Sequence, residues 1–203
     1  MKYFFFILIS FVGFFSNGQK LHFKDKSSKF LTKQEAVFRA FSHSQRSILL
    51  SKNYLDSVLD RENSETLIHT WKKEPLLNKW FGKDLDRNQI KKVLKRIDKL
   101  VKKTNRDVYF KIPNKFSSGL CKGSRHAWTI PFGKVKIHLC QQFFYKSNRH
   151  WTKIFIHELA HETGILFHQK VYWKGAALQA ATENPERAIR NPENYAYFIM
   201  EFY

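Results

Sequence analysis

The pattern of apolar positions changes character along the chain. Between Thr32 and Asp60, Ala36, Val37, Ala40 and Phe41 recur at helical spacing, and Ile48, Leu49, Leu55 and Leu59 continue the stripe. This predicts a helix with a break near Asn53. Thr32, with Glu35 three residues on, has the form of a capping box. Leu67 to Trp80 predicts a second helix, interrupted near Pro75. Asp86 to Lys103 is amphipathic, with Ile90, Val93, Leu94, Ile97, Leu100 and Val101 on one face and lysines on the other. Asp107 to Ile112 and Lys134 to Leu139 alternate and predict strands, with a loop from Pro113 to Ser124 between them. Helical spacing returns from His150 to Thr163 and stops near Gly164. Two further helices are predicted over Gly175 to Ala181 and Pro185 to Tyr203. The fold class expected is α+β: a mainly helical single domain with a small β-sheet.

The start of the chain has a different logic. Met1-Lys2 precedes an apolar run from Tyr3 to Phe15, followed by Ser16-Asn17-Gly18. A short positive region, an apolar stretch and small residues describe a secretory signal peptide. The run is too short for an ordinary membrane-spanning helix. Residues 1–18 are therefore expected to be a leader and residues 19–203 the mature domain, secreted or periplasmic, with no membrane span.

Charge and cysteines refine the picture. The formal net charge is +19 over 203 residues, which favours contact with anionic surfaces. The lysines are spread along the chain, and no nucleic-acid-binding motif accompanies them. Cys121 and Cys140 are the only cysteines. In an exported chain they are expected to form a disulfide, and their spacing excludes a CxxC-type zinc site.

The candidate chemistry lies at His157-Glu158-Leu159-Ala160-His161. On a helix, His157 and His161 stand one turn apart on one face, where both imidazoles can hold one zinc ion. Such an ion lowers the pKa of a bound water toward ~7, and Glu158 is placed to take the proton. A catalytic zinc needs a third protein ligand and an open position. No Asp follows Asp107. His168 is the preferred candidate, and Glu183 and Glu186 are alternatives. Tyr172 is a candidate donor to the oxyanion of a tetrahedral intermediate.

Several segments together resemble the aspzincins, the deuterolysin-type zinc peptidases that include peptidyl-Lys metalloendopeptidases. Trp80-Phe81-Gly82 with Arg87 and the amphipathic helix is similar to the family's W-F-G segment. Lys136-Ile137-His138-Leu139-Cys140 with Phe143-Phe144 resembles its I-Y-L-C-x-x-F-W strand, whose cysteine is disulfide-bonded. Ile156 to His161 resembles its I-H-E-L-x-H helix. Asn184-Pro185, Ala188, Asn191 and Asn194-Tyr195-Ala196-Tyr197-Phe198 with Glu201 resemble its tail motif.

The resemblance implies a zincin-like endopeptidase acting on proteins or peptides with one catalytic zinc. The family's third ligand is an Asp, in a stretch matched here by Gly164 to Gly175, where His168 would replace it. The spacing to Tyr172 is one residue longer than the family's. Lysine-specific members bind a substrate lysine with two tail acids. Glu193 stands at the first of those positions and Ala196 at the second, which implies a weakened preference for Lys at P1′. The reading is a monomeric secreted zinc endopeptidase. The competing reading is a basic, non-catalytic binding module on the same scaffold, attached to anionic surfaces.

Overall fold

The computed structural model describes residues 21–23, 31–111, 121, 125–130, 133–165 and 173–203. Helix α1 spans Leu31–Val58, α2 Ser64–Lys73, α3 Pro75–Phe81 and α4 Arg87–Thr104. A four-stranded sheet contains β1 (Leu21–Phe23), β2 (Val108–Lys111), β3 (Ala127–Thr129) and β4 (Val135–Leu139). Helix α5 covers Asn148–His161, α6 Lys174–Glu183, α7 Pro185–Ile189 and α8 Pro192–Met200. The α+β expectation holds, with helix dominant.

Local chemistry sets the boundaries. Asn63 Oδ1 accepts from the backbone N–H groups of Glu65 and Thr66, which starts α2. Pro75 at the first turn of α3 cannot continue the preceding helix, so the break falls at Glu74. Asp86 and Gln89 form a reciprocal capping box at the start of α4. Helix α1 runs unbroken through Asn53, contrary to the expected break. Asn53 lies on its exposed face, between buried Ser51 and Leu55, so a poor helix former costs little there. The tail is two helices rather than one, because Pro192 opens a new helix after Asn191.

The sheet order is β1-β2-β4-β3. β1 and β4 each run parallel to β2, while β3 is antiparallel to β4 and forms an edge. Neither β1 nor β3 is expected from the hydrophobic pattern.

The core gathers the apolar faces of α1, α4 and α5 over this sheet, with Phe41, Phe110 and Phe155 in mutual edge-to-face contact. Helix α5 packs against α1 on one side and α8 on another. A second knot joins α2, α3 and the tail. Trp71 Nε1 donates to Gly82 O, and the buried Asn194 amide donates to the carbonyls of Trp80 and Ala177. Gly82 has φ +92, and a Cβ there would lie 2.6 Å from Ala181 O. The glycine of the W-F-G segment is thus required by both conformation and space.

Candidate metal centre

Helix α5 begins at Ser147, whose hydroxyl accepts from the N–H of His150. Its buried face carries Ile154, Phe155 and Leu159 into the core, so the helix position is fixed by packing. His157, Glu158 and His161 are themselves buried, at 8%, 6% and 8% exposure. Unpaired polar groups at that burial are costly, so their partners are informative.

The two imidazoles lie 5.0 Å apart between ring centroids, at 76°. His157 Nδ1 is 3.4 Å from Glu193 Oε1, at the outer limit of hydrogen bonding. His161 Nδ1 is 2.5 Å from the backbone carbonyl of Ile165. That carbonyl is delivered by the turn after α5, where Gly164 takes φ +98. Each ring therefore presents Nδ1 to a protein oxygen, the arrangement in which Nε2 serves as the metal ligand. This donor chemistry fits a zinc ion shared by His157 and His161.

Glu158 is held from the sheet side. It accepts a hydrogen bond from the backbone N–H of Thr129 on edge strand β3. Burial pushes its carboxyl up to about 7, against the pull of His157, Arg125 and the Thr129 N–H. The next turn repeats the clasp. Thr129 Oγ1 lies 2.9 Å from both Glu162 Oε1 and the carbonyl of Lys136, so one hydroxyl proton serves two acceptors. Glu162 Oε2 in turn accepts from Lys103 Nζ on α4 at 3.1 Å.

Glu193 is not a bare surface acid. It sits in the first turn of α8, 6% exposed. Lys153 Nζ lies 2.8 Å from Oε2 and 3.2 Å from Oε1. Burial alone would raise its carboxyl, but His157 and Lys153 bring it down to about 2. Lys153 also lies 4.5 Å above the ring of Tyr197.

The third ligand is less visible. His168 and Tyr172 lie outside the described residues. Among the described residues, no group of three His, Cys, Asp or Glu could hold a metal ion. Glu183 accepts from Gln179, and Glu186 pairs with Arg190 and Gln89. Neither joins the two histidines in a metal-holding cluster.

Cys121 and Cys140 form the expected disulfide, with Cα atoms 5.5 Å apart. Cys140 follows β4 directly, and its N–H donates to His126 O just before β3. The bond therefore lies at the base of the strand pair that carries Thr129.

The aspzincin profile, described as lysine-specific metallo-endopeptidase, matches residues 66–200. The chain belongs to the aspzincin family. It is a zinc metalloendopeptidase, a hydrolase of peptide bonds. This aspzincin superposes on a zinc peptidase from Grifola frondosa with a TM-score of 0.66 and 21% identity, covering 87% of this chain and 97% of that one. That likeness extends the shared fold to nearly the whole of the Grifola structure. No curated protein sequence matches the chain. The disulfide fits an oxidising compartment, and among the described residues no helix is long and apolar enough to cross a membrane.

Residues missed by sequence reasoning are Thr129, Glu162 and Lys153. The first lies on a strand of three residues with no clean alternation. The other two read as ordinary surface charge until the fold buries them.

Proposed function

We propose that this aspzincin is an exported endopeptidase in which His157, His161 and His168 hold one zinc ion, Glu158 is the general base, and Tyr172 donates to the developing oxyanion. The observation that carries the reading is the seating of both Nδ1 atoms on protein oxygens, which turns Nε2 of each ring toward metal binding. A zinc ion held there supplies Lewis-acid polarisation and an acidified water.

The chain's own residues supply the rest. Burial raises the Glu158 carboxyl, which favours its taking up a proton. The Thr129 N–H fixes its direction. Edge strand β3, antiparallel to β4, offers an extended peptide a backbone to pair with beside Glu158.

Lysine preference at P1′ is supported by the description of the family and by the acid at Glu193. Both oxygens of Glu193 already face Lys153, so a substrate ammonium must share or displace that contact, and the preference is a weak one. Export is supported by the apolar leader and the disulfide. β1 starts at Leu21, so loss of residues 1–18 leaves the sheet intact. The mature domain acts as a monomer, and the full chain's net charge of +19, of which the leader supplies only Lys2, suits it to anionic surroundings.

Zinc content by elemental analysis, on wild type beside His168→Ala and Glu158→Gln, tests this. The expected result is about one zinc per wild-type chain, weaker retention in His168→Ala, and full retention without peptidase activity in Glu158→Gln. Undiminished zinc in His168→Ala moves the third ligand elsewhere, and cleavage by Glu158→Gln removes Glu158 as base.

A further inference from the structure

Lys153 and Glu193 form a buried ion pair directly behind the first zinc-site histidine. Lys153 is one turn before His157 on α5, and Glu193 opens α8, the helix packed against α5. The side chains are 16% and 8% exposed. Burying such a pair is expensive unless its geometry and hydrogen bonds are good. Here they are. Lys153 Nζ meets both carboxylate oxygens at 2.8 and 3.2 Å, reaches Tyr197 Oη at 3.4 Å and lies over the Tyr197 ring. Held in this way, Glu193 turns Oε1 to within 3.4 Å of His157 Nδ1.

We propose that Glu193 is a positioning residue for His157, fixing the proton on Nδ1 so that Nε2 faces the metal, with Lys153 as its anchor. The inference rests on His157 being a zinc ligand. It assigns Glu193 a task other than capturing substrate. A carboxylate gripped by a lysine and aimed at an imidazole orients a ring. Histidine in water favours the tautomer with the proton on Nε2, which opposes metal binding by that nitrogen, so a fixed acceptor at Nδ1 has a definite effect.

The test uses the full mature chain with two readouts. Nitrogen-15 NMR of the metal-free protein reads the His157 tautomer, and chelator competition reads zinc affinity. Wild type is expected to carry its proton on Nδ1. The double variant Lys153→Met/Glu193→Leu removes the acceptor without stranding a charge. It should move the proton to Nε2 and weaken zinc binding by about 10–100-fold. Glu193→Gln keeps a neutral acceptor in the same shape. It should keep the tautomer and lose less affinity, and it serves alone if the double variant does not fold. A wild-type proton on Nε2 overturns the proposal. So does a double variant with an unchanged tautomer, or a Glu193→Gln in which the His157 proton moves to Nε2. If wild type takes up no zinc, the peptidase reading fails, while the tautomer comparison still decides the role of Glu193.

Discussion

The backbone N–H of Thr129 donates to the carboxylate of Glu158, so the edge strand of the sheet and the acid of the zinc motif are one unit. The edge strand thus aims the carboxylate proposed above as the general base. Thr129→Pro removes this donor while remaining compatible with an edge strand. A hydrogen bond to a charged group contributes ~1.5–3 kcal/mol, so kcat/KM should fall by ~10–100-fold. Zinc content should be unchanged. Steady-state kinetics on a quenched peptide decide the matter, and full activity in the variant would show that Glu158 needs no such support.

Acid should destabilise the protein through His150. Burial holds its pKa down to about 4, helped by the positive charges of Lys153, His126 and Lys146 and opposed by Glu193. In the unfolded chain the value returns to 6.5. The folded value is the lower one, so the stabilisation is fully present above pH 6.5 and is lost as pH falls toward 4. Urea midpoints for wild type should drop across this window. His150→Gln should drop less, with a residual slope from His43, His126 and His138, whose values are also lowered by burial.

Gly82→Ala should destabilise strongly. The positive φ alone costs ~1–3 kcal/mol for a residue with a side chain, and the added methyl would meet Ala181 O and Pro185. Thermal unfolding of the metal-free protein measures this. A change in melting temperature of a degree or less would show that the turn relaxes.

Asn194→Leu removes the amide that serves the Trp80 and Ala177 carbonyls. Leaving two buried acceptors without it costs ~2 kcal/mol or more. The loss should appear as a lower urea midpoint, with the zinc motif helix still formed by circular dichroism.

Much of this was readable in the sequence. The amphipathic run from Ile90 to Val101 is the α4 core face, because a regular period within a helix of 18 residues leaves little ambiguity. His157, Glu158 and His161 were readable because their chemistry depends on spacing along a single helix. What escaped depends on contacts between distant segments. Lys153 lies 40 residues from Glu193, and Thr129 lies 33 from Glu162. Lys153, Thr129 and Glu162 look like ordinary surface polarity until α5, α8 and β3 come together, and Glu193, legible as an acid of the tail motif, gives no sign of its partner. The predicted break at Asn53 failed for the opposite reason: local propensity lost to the packing of Ser51 and Leu55 on the buried face.

The seats of the two histidines have a thermodynamic consequence. His161 Nδ1 meets the Ile165 carbonyl beyond the Gly164 turn, and His157 Nδ1 faces Glu193 Oε1 at 3.4 Å. Immobilising a side chain on binding costs ~0.5–1.5 kcal/mol. Here the fold itself brings a protein oxygen to each ring, so less of that ordering falls on metal binding. Zinc uptake at these two donors is then largely an exchange of hydration water for nitrogen, and its entropy should be that of released solvent rather than of stiffened protein.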